Sequence, residues 1–262
     1  MVVEKSFNII FSTVNADSVN DDMNEFKVNL YNGISVPKQA KSAQVALYSA
    51  RVWNSSPNIV PDVNDKLYIT YQATPYVIEV PQGLYSDSLL AQTLSLLFEQ
   101  ESLPIDLISF IADIATQKIL IRYNYADTQI DFTPADTFRD ILGFDARLSP
   151  PTPSTLGELD SADNEAGFNT VNSFLITAEN LVRDGIPIGA TAINILAEVP
   201  IIAPPNSLIN YEPNNLTFIQ SDHLIGSQIF DFTFRILNEK AQPIKMIEDW
   251  SFSVVVRYQL YD

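Results

Sequence analysis

The closing stretch, Gln228 to Asp262, narrows the fold more than any other part of the chain. Phe230, Phe232, Phe234 and Ile236 alternate with Asp231, Thr233 and Arg235, the period of two expected when one strand face is buried and the other is wet. Phe252, Val254, Val256, Tyr258 and Leu260 repeat the pattern against Ser251, Ser253, Arg257 and Gln259, with Val255 alone interrupting the polar face. Each of these nine side chains gains about 1.5 to 3 kcal/mol on burial, before conformational entropy is set against it. The two strands read as a ribbon joined by the connector Asn238 to Asp249, and such a ribbon needs a second sheet to cover it.

The rest of the chain can supply that cover. Ser6 to Thr13 puts Phe7, Ile9 and Phe11 on one face, and Glu25 to Tyr31 does the same with Phe26, Val28 and Leu30. Gln44 to Val52 is half-apolar on both faces and is expected to be covered on both. Lys66 to Tyr71 and Tyr76 to Val80 read as a hairpin, and so do Leu107 to Ile114 and Lys118 to Tyr123. Two short helices interrupt the strands. Ser86 caps the first, whose stripe is Leu89, Leu90, Leu94, Leu97 and Phe98; Thr133-Pro134-Ala135-Asp136 opens the second and Gly143 closes it. Later strands fall at Val171 to Thr177, Thr191 to Glu198, Ser207 to Tyr211 and Leu216 to Ile219. About a dozen strands and no regular strand–helix alternation predict an all-β, antiparallel β-sandwich.

Residues 149–169, rich in proline and acid and without apolar periodicity, are expected to form a surface loop or arm. The remainder, over residues 1–262, reads as one domain, with room for a small insertion in the middle of the chain.

Composition limits the chemistry. With 32 acidic and 15 basic residues and no basic run of even three, the surface repels phosphates, so direct nucleic-acid binding is not expected. The absence of cysteine removes disulfides, thiolate metal sites and a cysteine nucleophile. His223 is the only histidine, which removes histidine triads and two-histidine metal sites; beside Ser221 and Asp222 it reads as a loop polar group. The acidic loop Asp17 to Asn24 lacks the glycine and terminal glutamate of a calcium loop. Asn54-Ser55-Ser56 and Asn215-Leu216-Thr217 match the glycosylation pattern, but no apolar signal core precedes them. Trp53, Trp250 and the tyrosines could offer a carbohydrate platform, although core roles are commoner for aromatics in a sandwich. No catalytic, cofactor-binding or metal-binding residue is assigned and no cofactor is expected. No apolar run is long enough to span a membrane, and the chain is expected to be soluble and made in a cytoplasm.

The order of several motifs carries a resemblance. They are Phe7-Asn8-Ile9-Ile10-Phe11-Ser12 with Asn24 to Leu30, Ala43 to Tyr48, and Tyr76 to Val80 running into Pro81-Gln82-Gly83-Leu84-Tyr85-Ser86. Next come Ile141-Leu142-Gly143-Phe144, then Phe232 to Leu237 followed by Gln242-Pro243-Ile244 and Asp249-Trp250-Ser251-Phe252. Together they resemble the penton, or minor capsid, proteins of virophages and Polinton-like viruses. The chain departs from that pattern in lacking a glycine between Asn238 and Gln242. The resemblance implies a single jelly-roll structural protein of the virion, without catalysis, that forms homopentamers at the five-fold vertices of an icosahedral capsid among major capsid protein subunits. The alternative is a receptor- or glycan-binding β-sandwich of a virion surface.

Overall fold

The computed structural model describes residues 2–169, 171–183, 186–188 and 191–261. The chain divides into two compact units, Met1–Ser56 with Val171–Asp262, and Pro57–Thr170. The first unit opens with β1 (Val2–Ser12), β2 (Ser18–Val19), β3 (Glu25–Ser35) and β4 (Ala40–Trp53). The second holds β5 (Lys66–Tyr71), β6 (Thr74–Glu79), α1 (Asp87–Gln100), β7 (Ile108–Asp113), β8 (Lys118–Tyr123), β9 (Thr128–Asp131), α2 (Arg139–Leu142), β10 (Leu148–Ser149) and β11 (Glu158–Ser161). The first unit then resumes with β12 (Ser173–Glu179), β13 (Ile186–Ile188), β14 (Thr191–Ile193), β15 (Ile195–Pro200), β16 (Leu208–Tyr211), β17 (Ile219–Gln220), β18 (Gln228–Asn238) and β19 (Ser251–Tyr261).

The first unit is a jelly roll. One sheet has the order β1-β19-β4-β16, with β17 also on β4, and the other has the order β15-β12-β18-β3-β2. Every ladder in both is antiparallel. Followed along the chain, β1, β3, β4 and β12 alternate between the sheets, β15 pairs beside β12, and β16–β17, β18 and β19 alternate again, which is the double-sheet winding of that fold.

This winding corrects the expected ribbon. β18 and β19 do not pair; each lies inside its own sheet and they cover one another across the core, with Phe234 and Phe252 edge-on at 5.0 Å. Phe11 meets Phe234 at 4.4 Å and Phe26 meets Trp250 at 4.8 Å, so rings from both sheets interlock at spacings that favour tilted and edge contacts. The connector that carries the chain between the sheets buries Met246 and Ile244 on its way. At its start Asn238 Oδ1 accepts from the Lys240 and Gln242 amides, and Ala241 takes the left-handed conformation (φ 59°) for which a glycine was expected.

Two side chains change face. The register slips between Ile229 and Asp231, so Phe230 leaves the core face and is 37% exposed, while Ile229 packs inward. A second irregularity, between Ser253 and Val254, lets Val45, Leu47, Ala50 and Val52 of β4 all reach the core. Val255 is buried on the outward face opposite Ala46, and Phe218 stacks 3.3 Å from the guanidinium of Arg257 on that same face.

The inserted unit has its own core between a four-stranded sheet, β10-β9-β5-β6, and a three-stranded sheet, β11-β8-β7. Ser86 Oγ accepts from Leu89 N, and of the predicted stripe α1 buries Leu90, Leu94 and Phe98 and packs Leu97 partly against the core, while Leu89 is exposed. The second helix is shorter than expected. It spans Arg139–Leu142 and has no side-chain cap, because Phe138 stands at its N-cap position; Thr133 donates its hydroxyl to Asp131, and Asp136 accepts from Lys66 Nζ at 3.0 Å and Tyr68 Oη at 3.1 Å. Gly143 closes it at φ 81°.

Residues 149–169 also differ from expectation. β11 pairs with β8, Ser149, Ser154 and Ala162 are buried, and Phe168 packs on the core of the inserted unit. Arg147 explains the anchoring: it forks onto Asp160 (2.7 and 3.2 Å), reaches Asp163 at 2.8 Å and donates to Ser161 O. A segment that contributes few apolar side chains is held instead by charge-assisted hydrogen bonds.

Candidate assembly surfaces

The residues singled out for chemistry are placed apart, and several of them have local partners. His223 sits in a short 3-10 turn, Asp222–Leu224, with Nε2 2.9 Å from Asn180 O. In the acidic loop, Asp17 Oδ2 accepts from Asn29 N, Asn20 Oδ1 accepts from Glu25 N, and Asn24 donates to Ile244 O, so its polar groups build the turn into β3. Among the described residues, no three His, Asp or Glu side chains are grouped as metal ligands. Asn54 is buried and donates to Ala203 O, whereas Asn215 is exposed. Trp250 is 1% exposed and donates its indole N–H to Met23 O, which removes it from any platform.

Several acidic groups elsewhere serve structural contacts. On the outward face of the second sheet Arg235 lies between Glu25 and Glu179. In the inserted unit, burial pushes the Tyr123 hydroxyl far above the ordinary phenol range, and it donates to Ser149 O at 2.6 Å. Burial also pushes Asp163 up, but Arg147, the Asp145 amide and Lys118 outweigh it and hold the carboxyl below the usual range. Residues 57–170 carry 17 of the 32 acidic but only 5 of the 15 basic residues, so the acidity is concentrated in the inserted unit.

Besides a polar groove on the outward face of the first sheet, around Ile10, Ser49 and Asn210, the jelly roll has grooves at its two open sides. On one, β1 is paired along its length with β19 alone, and β3 meets β2 only at Phe26 and Lys27. Between them runs a groove of about 480 Å³ lined by Phe7, Ile9 and Leu30, all half-buried, and by Tyr31, which is 95% exposed. On the other side, β15 pairs only with β12, and β16 and β17 pair only with β4. A groove of about 460 Å³ opens between them, lined by Leu175, Ile195, Ala197, Tyr211 and Ile219 and bordered by Glu198 and Glu239. Unpaired strand edges beside half-covered apolar side chains are surfaces that natural sheets otherwise blunt or cover.

Alternation places Phe7, Ile9 and Leu30 inward but does not mark Tyr31, Tyr211 or Ile219 as groove residues. Tyr31 continues an alternating strand and falls on its wet face, and only the break in alternation at Asn32-Gly33 marks a change there. Tyr211 and Ile219 come from strands too short to show a period.

No family model matches the chain. No curated protein matches it. Among solved structures it is similar to the mavirus penton protein, at 12% identity over 98% of this chain and 100% of that one, with a TM-score of 0.44.

Proposed function

We propose that this chain is a structural capsid subunit: a penton that forms homopentamers at the five-fold vertices of an icosahedral virion, held among major capsid protein subunits and assembled inside the host cell. The observation that carries the reading is the single jelly roll with both sandwich sides open, grooved and apolar. Such a fold gains stability by covering those sides with neighbours, and five copies around an axis do so in a closed ring. The order of motifs from Phe7-Asn8-Ile9 to Asp249-Trp250-Ser251-Phe252, which resembles virophage pentons, supports the same role. The role is scaffolding rather than catalysis, and the polar groups above serve turns and ion pairs. A net charge of −17, concentrated in the inserted unit, directs contacts towards protein neighbours and away from packaged nucleic acid. A glycan-binding sandwich gains less support, since Trp250 is interior.

The test is the native mass of the purified protein across a concentration series. A species at five times 29.2 kDa is expected, persisting through moderate salt. A monomer at every concentration, or submicromolar salt-sensitive DNA binding, would overturn the reading.

A further inference from the structure

We propose that neighbouring copies join side to side, the β1/β3 groove of one against the β15/β16–β17 groove of the next. This rests on the reading of the chain as a ring-forming subunit and specifies the surface that closes the ring. The two grooves stand at opposite ends of the strand orders, since β1 and β3, the latter with only the short β2 beyond it, lie at one end and β15 and β16–β17 at the other. Each is flanked by strand edges that pair with no further strand of the sandwich. Their residues differ, so a contact between them is heterologous, and a heterologous contact closes a ring where the rotation from copy to copy divides a full turn.

Charge points the same way. Lys5 lies on the core-side face of β1, in step with Phe7 and Ile9, and makes no ion pair among the described residues. Glu198 borders the other groove, exposed and likewise without a cation among the described residues. A mixed contact can set Lys5 against Glu198 as an opposite-charge pair, which a contact between two like sides does not offer. Tyr31, on the groove rim, supplies the kind of exposed aromatic that anchors an interface centre.

The absence of cysteine makes the test direct. Lys5→Cys and Glu198→Cys, both at exposed positions, are prepared separately in the full chain and treated with a short bis-maleimide, alone and as a 1:1 mixture of subunits exchanged at low concentration. The mixture is expected to give a covalent dimer containing one copy of each variant, while each variant alone gives no dimer; the double variant is expected to give a ladder ending at five copies. Native pentamers without cross-linking in the mixture would overturn the proposed surface and leave the ring standing. Dimers from either variant alone would show a two-fold contact and overturn it as well. A wild-type chain that stays monomeric would remove the ring reading itself, and the surface with it.

Discussion

Phe230 and Phe232 are the same residue two places apart in β18, and strict alternation makes them equivalent; the structure does not. Phe232 is 1% exposed and packs between Phe11 and Phe234, whereas Phe230 is 37% exposed beyond the register slip. Replacing Phe232 by alanine loses about 1.5 to 3 kcal/mol of transfer free energy. It also leaves up to about 100 Å³ of cavity, which at about 24 cal/mol per Å³ adds roughly 2 kcal/mol where the walls do not relax. A cost of about 3 to 5 kcal/mol is therefore expected for Phe232→Ala. Phe230→Ala opens space to solvent rather than a cavity and loses only its covered fraction, about 1 to 2 kcal/mol. Thr233→Ala, on the outward face, should stay within about 0.5 kcal/mol of wild type. Urea unfolding followed by tryptophan fluorescence isolates the relevant unit, because Trp53 and Trp250 both lie in the jelly roll. Equal midpoint shifts for the two phenylalanine variants at unchanged slope would refute the face assignment.

Other outcomes follow from the inserted unit. Gly143→Ala is expected to cost more than about 3 kcal/mol, because at φ 81° the new Cβ would lie 2.4 Å from Asn164 O; Gly157→Ala, at φ 77° in open space, should cost only about 1 to 2 kcal/mol, as read by amide exchange in residues 57–170. Asp163 is held below the ordinary carboxylate range, so its contribution is full above the unfolded value near pH 4 and is lost as pH falls through the lower folded value; Arg147→Met should destabilise the unit by about 2 kcal/mol at pH 7 and flatten that acid dependence in the same exchange assay. Residues 158–166 should resist limited proteolysis by a glutamate-specific protease, and first cleavage after Glu158 or Glu165 would mean that the Arg147 anchor does not hold.

The amino-acid sequence by itself determined the strand content, the inward faces of β1, β3 and β19 up to Val256, and α1 with its cap, because period-two and period-three-to-four burial patterns are local consequences of backbone geometry. It also determined the acidic surface and the single histidine, which depend on counting alone. Tertiary structure decided the rest. Whether β18 and β19 form one ribbon or two opposed sheets depends on partner strands about 200 to 260 residues away, and both patterns look alike along the chain. Phe230 turned outward because a register slip changes the face of neighbouring residues without changing their identities. Residues 149–169 appeared free because hydrogen bonds from Arg147 leave no apolar period to read. The open sides, finally, are gaps between non-adjacent strands, and a gap becomes visible only when both of its walls are in place.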